Sequence, residues 1–162
     1  MLGDWVDKMI LVTVGTGKFD ELIEAVDKIA PSLNKKIIAQ IGEGKYKPKN
    51  IEYFRYKETL LPYDKKARLI ITHGGAGRIY ELLAMNKRII GVANTNRTDV
   101  HQVDILKALS QQNFLIWCKD INDLKEIIKN LKKLKFQKYK KPECKIAEKI
   151  KGYIEGDRKS VV

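Results

Sequence analysis

The feature that most constrains the fold of this sequence is a run of small residues directly after a strand-like apolar segment. Residues 69–71 are bulky and largely β-branched, as in strands that are buried on both faces of a parallel sheet. The segment His73-Gly74-Gly75-Ala76-Gly77 then lacks large side chains at the point where a helix is expected to begin. A strand, a tight turn and a helix in this order predict an α/β fold.

The same turn is a candidate anion site. The first backbone amides of a helix have no intrahelical partners and lie at the positive end of the helix dipole, so a diphosphate can bind there without a dedicated cation. Glu81 follows Gly77 by about one helical turn, and its carboxylate can accept two hydrogen bonds from the diol of a ribose. The alternative interpretation is a close contact between helix and strand that binds no ligand.

A polar loop follows the next predicted strand. Residues 93–99 read Ala-Asn-Thr-Asn-Arg-Thr-Asp and lead to His101 and Gln102. Amide and hydroxyl groups at this density suit hydrogen bonding to the hydroxyls of a sugar. Together with the glycine-rich turn, the loop indicates a site for a phosphate and a sugar on one ligand.

Hydrophobic periodicity predicts strands and helices that alternate along the chain. The predicted strands are residues 9–14, 36–41, 51–56, 68–72, 88–92 and 114–117, and the predicted helices are residues 20–30, 62–67, 77–85, 100–111, 122–134 and 143–155. This alternation predicts a single doubly wound, mostly parallel sheet, in which ligands bind beyond the carboxyl ends of the strands. The turns at residues 15–18 and 72–77 both fall at that edge.

The first of these turns, Gly15-Thr16-Gly17, matches neither common nucleotide-binding motif. A dinucleotide fingerprint would need glycine where Asp20 stands, and a P-loop would need glycine where Val12 stands. The turn's amides and the Thr16 hydroxyl remain able to close over a diphosphate. A tight strand-to-helix turn without a ligand is the alternative.

Two blocks of the sequence resemble a known family. The block THGGAGRIYELL followed by DVHQ resembles the donor-binding, C-terminal half of the family 28 glycosyltransferases of the GT-B superfamily. The opening MILVTVGTGKFDELI is similar to the start of the catalytic subunits of two-part UDP-N-acetylglucosamine transferases in lipid-linked oligosaccharide synthesis, and of related bacterial exopolysaccharide subunits. The resemblance implies the Rossmann-like half of a GT-B enzyme.

The resemblance also implies roles for individual residues. It makes His73 a contact of the donor's diphosphate, Glu81 the ligand of the ribose, and Gln102 the residue that binds the hydroxyls of the donor sugar. Asp99 and His101 flank that last role, and backbone groups near Tyr56 and Lys57 are implied to contact uracil. The implied amide cradle consists of Gly74, Gly75, Ala76 and Gly77, and the implied cover of the diphosphate consists of Gly15 and Thr16.

One departure from the family pattern lies inside the turn. Many relatives have a serine or asparagine where this chain has Gly77 and Arg78, so a hydroxyl contact to the phosphate is not expected, and the charge of Arg78 is a candidate replacement. The resemblance implies inverting transfer without a metal ion, and the chain contains no Asp-x-Asp pair. The sequence identifies no catalytic base, and no cofactor is expected beyond the UDP-sugar substrate.

The length predicts one domain, about half of what a two-domain GT-B enzyme needs. We divide the 162 residues into an N-terminal extension (1–8), a donor-binding domain (9–134) and a basic C-terminal helix and tail (135–162). The resemblance covers only the donor half and therefore implies a partner, a membrane-anchored subunit that binds the acceptor. The predicted terminal helix, with apolar residues at helical spacing, packs either on that partner or on the domain's own sheet.

Composition is typical of a soluble chain in a reducing compartment. The formal net charge is +12, and no apolar run approaches the ~20 residues of a membrane-spanning helix. Residues 1–9 lack the apolar core of a secretory signal. Cys118 and Cys144 have no metal-site spacing and are interpreted as incidental thiols, with a disulfide as the alternative. We therefore expect a cytoplasmic location, with peripheral attachment to the cytoplasmic membrane face through the partner.

Lysines are concentrated after residue 125. They form either a solvated helix face or a surface for anionic lipid or an acidic partner. Nucleic acid is not expected as a ligand because aromatic residues do not alternate with the lysines and no DNA-binding motif is present.

Two functions remain open from the sequence. The first is the donor-binding catalytic subunit of an inverting transferase that moves GlcNAc from UDP-GlcNAc to a lipid-linked acceptor. The second is a nucleotide-sugar binding or regulatory module without transfer activity.

Overall fold

The computed structural model describes residues 9–15, 17–94 and 101–140, and His101 only by its backbone. Six strands lie within these ranges: β1 (Met9–Thr13), β2 (Ile37–Gln40), β3 (Glu52–Phe54), β4 (Ala67–Thr72), β5 (Arg88–Gly91) and β6 (Ile116–Trp117). They form one parallel sheet in the order β3-β2-β1-β4-β5-β6. This order, with the crossover at β1, is that of the Rossmann-type doubly wound fold, so the predicted fold class is confirmed.

Helices connect these strands. The α-helices of the described ranges are α1 (Asp20–Leu33), α2 (Leu61–Lys66), α3 (Ala76–Ala84), α4 (His101–Gln111) and α5 (Leu124–Lys129), with short 3-10 helices at Ile121–Asp123 and Leu131–Lys133. None of the helices in this part of the chain is both long and apolar enough to cross a membrane. The N-terminal extension and the predicted helix at 143–155 lie outside the described residues.

Alternate residues of the central strands face two apolar layers. Val12 and Ile71 pack on the side of α1, where Ile23 is fully buried. Leu11 and Ile70 point to the opposite side, where Leu82 of α3 is fully buried. Because both faces are covered, the strands consist of nearly continuous apolar residues, which is the pattern expected of a parallel sheet.

Helix α1 is longer than predicted. Apolar periodicity predicted that it ends at residue 30, and Pro31 lacks the amide that would bond to the carbonyl of Asp27. The helix instead continues to Leu33 and ends at Asn34 in a left-handed conformation with φ of 50°. The side chain of Asn50 donates to the Asp27 carbonyl at 3.1 Å and so replaces the missing amide.

The predicted helix at 122–134 is wrong as one continuous element. The Asp120 carboxylate accepts the amide of Asn122 at 3.0 Å, which starts a 3-10 turn before α5 begins. Helix α5 then ends at Asn130, where a second 3-10 turn follows. The Asp120 cap therefore sets how the segment begins, and its apolar spacing alone, which fits a single helix, does not show the second 3-10 turn.

Candidate functional site

A cavity of about 330 Å³ opens at the carboxyl edge of the sheet. It lies between the ends of β1 and β2, the loop after β3, and the helices α2 and α3. We call it the edge cavity. It is lined by Thr13, Gly15, Gln40, Tyr56, Lys57, Glu58, Thr59, Leu60, Leu61, Asp64, His73, Arg78 and Glu81.

The two predicted glycine turns meet at the imidazole of His73. A Cβ atom built on Gly15 would lie 3.1 Å from Cε1 of His73, and one built on Gly75 would lie 3.1 Å from Nε2 of the same ring. Gly15 also has a φ of +71°, which L side chains rarely adopt. The structure therefore brings Gly15, His73 and Gly75 together, as expected, while Thr16 lies outside the described residues.

Helix α3 begins directly beside this ring. Gly75 occupies the N-cap position, and no side chain caps it. Its carbonyl accepts the amide of Ile79 at 3.0 Å, which is the first bond of the helix. The amides of the first turn therefore present the positive end of the α3 dipole beside His73, an arrangement that suits an anion.

The other glycines of the turn differ in their surroundings. Gly74 has a φ of +90°, and a Cβ on it would lie 3.1 Å from Cδ1 of Leu106, so α4 packs closely against this residue. At Gly77 a Cβ would meet nothing within 4 Å. Gly74 is thus required by packing and backbone conformation, whereas Gly77 leaves open space.

Arg78 is paired with a residue that the sequence did not identify. Its Nη1 and Nη2 donate to the two carboxylate oxygens of Asp64 at 2.6 and 2.5 Å. The Asp64 side chain is 1% exposed and that of Arg78 is 14% exposed. Each terminal nitrogen carries a second N–H, and Arg78 lines the edge cavity, so the expected role of Arg78 as a replacement phosphate ligand remains a prediction.

Glu81 lies one turn along α3 at the rim of the edge cavity. Its side chain is 61% exposed, and Oε2 is 3.7 Å from Nη1 of Arg78. The carboxylate is held near the cavity by this contact but remains accessible to a ligand. The predicted role of Glu81 as a ribose ligand fits this position and remains a prediction.

Gln102 lies apart from the edge cavity. It is 6% exposed, and Oε1 accepts the backbone amide of Asn94 at 3.3 Å. Asn94 in turn donates through Nδ2 to the carbonyl of Lys18 at 3.0 Å. These bonds connect α4, the end of β5 and the turn after β1. Binding of a donor sugar by Gln102 remains a prediction, while Asp99 and the His101 side chain lie outside the described residues.

A second cavity of about 380 Å³ lies on the other side of the first turn. Its lining consists of Gly17, Lys18, Phe19, Asp20, Glu21, Glu43 and Asn94. Asn94 lines this second cavity and does not line the edge cavity. The polar loop after β5 and the edge cavity therefore lie on opposite sides of the first turn.

Two carboxylates on α1, the half-buried Asp20 and the buried Asp27, fix the loop that follows β2. Asp20 accepts the amides of Lys45 and Tyr46 at 3.2 and 3.3 Å. Asp27 accepts the Tyr46 hydroxyl at 2.6 Å and the Asn50 amide at 2.7 Å. Burial alone would raise the pKa of Asp27, but the hydrogen bonds from Tyr46, Asn50 and Lys49 together lower it. The bond to Asp27 raises the pKa of Tyr46 to about 12.

Cys118 is unsuited to nucleophilic chemistry. Burial raises the pKa of its thiol to about 11. The Sγ atom donates to the carbonyl of Asp120 at 2.9 Å. The thiol is therefore protonated at neutral pH, in agreement with its interpretation as an incidental cysteine.

Asp64 and Gln40 are among the edge-cavity residues that sequence reasoning missed. Asp64 carries no sequence signal, because its partner Arg78 is 14 positions away on another helix. Gln40 has one: it is a polar residue within the otherwise apolar stretch Ile37-Ile38-Ala39-Gln40-Ile41. A polar side chain at the carboxyl end of a buried strand is a candidate for contact with a ligand.

Sequence comparison relates the chain to known glycosyltransferases. The glycosyltransferase family 28 C-terminal domain matches residues 9–155. The human protein named "UDP-N-acetylglucosamine transferase subunit ALG13" is 33% identical over 124 residues, which is 68% of this chain and 11% of that protein. The Yarrowia lipolytica protein of the same name is 28% identical over 132 residues, which is 72% of this chain and 67% of that protein.

Solved structures show the same fold. The NMR solution structure of ALG13 superposes with a TM-score of 0.60 at 18% identity, over 82% of this chain and 89% of that one. The crystal structure of MurG from Acinetobacter baumannii superposes with a TM-score of 0.60 at 19% identity, over 77% of this chain and 43% of that one. The match to the family domain includes every described residue, and this chain belongs to the family of the glycosyltransferase family 28 C-terminal domain.

Proposed function

We propose that this chain binds the UDP-sugar donor of an inverting glycosyltransferase and is the catalytic subunit of a two-part enzyme. The observation that carries the proposal is the His73 ring, which lies between Gly15 and Gly75 at the uncapped start of α3. Similarity to proteins named as subunits of a UDP-N-acetylglucosamine transferase supports UDP-GlcNAc as the donor and GlcNAc as the transferred sugar.

In this proposal the donor lies across the carboxyl edge of the sheet. The diphosphate binds the first amides of α3 beside His73, and Glu81 accepts the ribose hydroxyls. The nucleoside occupies the edge cavity, whose volume of about 330 Å³ lies at the lower end of the range for small-molecule pockets. Gln102, Asp99 and His101 contribute to binding of the transferred sugar.

The proposed reaction is a single displacement at the anomeric carbon. An acceptor oxygen forms the new bond from the face opposite the leaving group, and the bond between the anomeric carbon and the phosphate oxygen breaks with its electron pair on UDP. The amides and dipole of α3 stabilise the negative charge that develops on the diphosphate. The acceptor proton passes to a base that we place on the partner subunit, since His73 is assigned to the diphosphate.

The acceptor site is proposed to lie on a membrane-anchored partner. In a GT-B enzyme the reaction takes place between two domains, and this chain resembles the donor domain. The lipid-linked acceptor, a location at the cytoplasmic membrane face and contact of the lysine-rich region with anionic lipid belong to the same proposal. The described part of that region exposes Lys132, Lys133, Lys135, Lys138 and Lys140.

Two measurements test the proposal. Calorimetric titration of the purified chain with UDP is expected to show binding that Gly75→Val abolishes. The chain is then co-purified with a membrane-anchored candidate subunit and assayed for transfer of radiolabelled GlcNAc from UDP-GlcNAc to a polyprenyl-diphosphate-GlcNAc acceptor. Transfer is expected from the complex and not from the single chain.

Each outcome has a distinct meaning. Absence of UDP binding by the wild-type chain would contradict the donor site itself. UDP binding without transfer by the complex would favour a nucleotide-sugar binding module. Robust transfer by the purified single chain would refute the dependence on a partner while it supports the donor site.

A further inference from the structure

The side chain of Gln40 lies in a polar row at the carboxyl edge of the sheet. Thr13 is in register with Gln40 on one side and with Thr72 on the other, and Phe54 is in register with Gln40 from β3. Residues at one register position of a parallel sheet point to the same face. The row therefore lies on the face that α2 and α3 cover, at the floor of the edge cavity.

Gln40 differs from its neighbours in the row in how its polar groups are used. The hydroxyl of Thr13 donates to that of Thr72 at 3.2 Å. Gln40 is 4% exposed, and its Oε1 atom is buried with no hydrogen-bond partner among the described residues. Gln40 nevertheless lines the edge cavity.

A buried amide oxygen without a protein partner is costly for a fold, because no hydrogen bond offsets the desolvation of that atom. Leucine or methionine would fill the same position at the end of β2 at lower cost. The amide can also rotate about its terminal torsion and so present either its carbonyl or its NH₂ group to the cavity. The position therefore suits a group whose hydrogen bonds are completed by a molecule in the cavity.

We propose that the Gln40 side-chain amide hydrogen bonds to the nucleoside part of the donor and acts as a binding and specificity residue. This inference rests on the proposed function, because it places a uridine nucleotide in the edge cavity. The nucleoside is favoured over the diphosphate by the position of Gln40 in the sheet. It neighbours β3, and the loop after β3 supplies Tyr56 to Leu61 to the cavity wall, whereas His73 and the start of α3 follow β4, two strands away.

The test compares Gln40→Met with wild type. Methionine keeps the length of the side chain and removes the amide. Gln112→Met is the matched control, since Gln112 is exposed and its side chain makes a long bond of 3.4 Å to the Ala108 carbonyl. Affinities for UDP, UMP and inorganic diphosphate are measured by calorimetry, and thermal midpoints are measured without ligand.

We expect Gln40→Met to weaken the binding of UDP and of UMP by the same factor, about tenfold, which corresponds to about 1.4 kcal/mol. Affinity for inorganic diphosphate stays unchanged. The thermal midpoint of the ligand-free variant stays equal to wild type or rises, because a buried amide oxygen without a partner is removed. Gln112→Met behaves as wild type in every measurement.

Three results would overturn it. Unchanged UDP affinity in a folded Gln40→Met variant shows that the amide does not contact the nucleotide. A lower affinity for UDP with an unchanged affinity for UMP assigns the contact to the diphosphate. A lower midpoint with unchanged affinity makes Gln40 a structural residue. Failure of wild type to bind UDP is a different result, which refutes the proposed donor site as well.

Discussion

Arg78 and Asp64 join helices α3 and α2 through a bidentate pair in which Nη1 and Nη2 each donate to one carboxylate oxygen, at 2.6 and 2.5 Å. The pair forms one wall of the edge cavity. Since the Asp64 side chain is 1% exposed, its charge depends on Arg78 for compensation.

We expect Arg78→Met to destabilise the protein by about 3 kcal/mol, because it leaves the buried Asp64 carboxylate without its partner. The double variant Asp64→Leu/Arg78→Met should lose less stability than Arg78→Met, because it removes both charges. Urea unfolding of wild type, both single variants and the double variant gives the coupling energy. Strictly additive effects of the two substitutions would show that the pair contributes nothing beyond its separate side chains.

Glu81→Ala is expected to weaken UDP binding by about 1.5 to 3 kcal/mol, the range for a hydrogen bond to a charged group. The fold should be unaffected, since the Glu81 side chain is 61% exposed. Calorimetric titration with UDP measures the effect. Glu126→Ala, an exposed glutamate on α5, is the matched control. Equal affinities of the two variants would remove Glu81 from the ribose site.

The two glycines Gly75 and Gly77 should respond oppositely to added bulk. Gly75→Val places a side chain 3.1 Å from Nε2 of His73 and should abolish UDP binding. Gly77→Ala adds a methyl group in open space within α3 and should stabilise the protein by about 0.5 to 1 kcal/mol. A UDP pull-down and thermal unfolding measure the two effects, with Lys133→Ala as the control. Retained binding by Gly75→Val would make the turn purely structural.

UDP binding should persist in EDTA. The proposed diphosphate site uses backbone amides and the α3 dipole, which need no metal ion. Calorimetry with and without EDTA, and after addition of Mn²⁺, provides the measurement. Loss of binding on chelation with recovery in Mn²⁺ would count against a metal-independent site.

Tyr46→Phe should reduce stability most at neutral pH. The Tyr46 hydroxyl donates to Asp27 at 2.6 Å and is one cause of the lowered pKa of that carboxyl. A carboxyl whose pKa is lowered on folding stabilises the protein above its unfolded pKa of about 3.9, and this contribution is lost as the pH falls through the folded pKa. The difference between wild type and variant should therefore shrink between about pH 5 and pH 3. Urea midpoints across this range test it, and a constant difference would contradict the link to Asp27.

The strands and the glycine turn could be predicted from the sequence because their signals are local. Runs such as residues 69–71 specify a buried strand, and the absence of side chains at Gly74 and Gly75 marks the start of α3. The end of α1 could not be predicted in this way. Its continuation past Pro31 depends on Asn50, which lies beyond β2.

The candidate site likewise has one part that could be predicted from the sequence and one part that could not. His73 and the two glycine turns were predicted to lie at one edge, and the sheet order brings them into contact. The pairing of Arg78 with Asp64 and the partnerless amide of Gln40 depend on which helices and strands become neighbours. The spacing of residues along the sequence does not show which elements become tertiary neighbours, so the ion pair and the partnerless amide oxygen emerged only from the structure.

The segment 136–139 packs against Arg88, the first residue of β5, with the Arg88 guanidinium 5.6 Å from the Phe136 ring. The lysines around this segment therefore lie at the amino ends of the strands, while the edge cavity opens at the carboxyl ends. A five-residue strand such as β1 spans about 16 Å. An anionic bilayer that attracted these lysines would hold the domain upright, with the nucleotide entrance pointing away from the lipid head groups. In the proposed two-part enzyme, the partner would then have to raise a lipid-linked acceptor to that height.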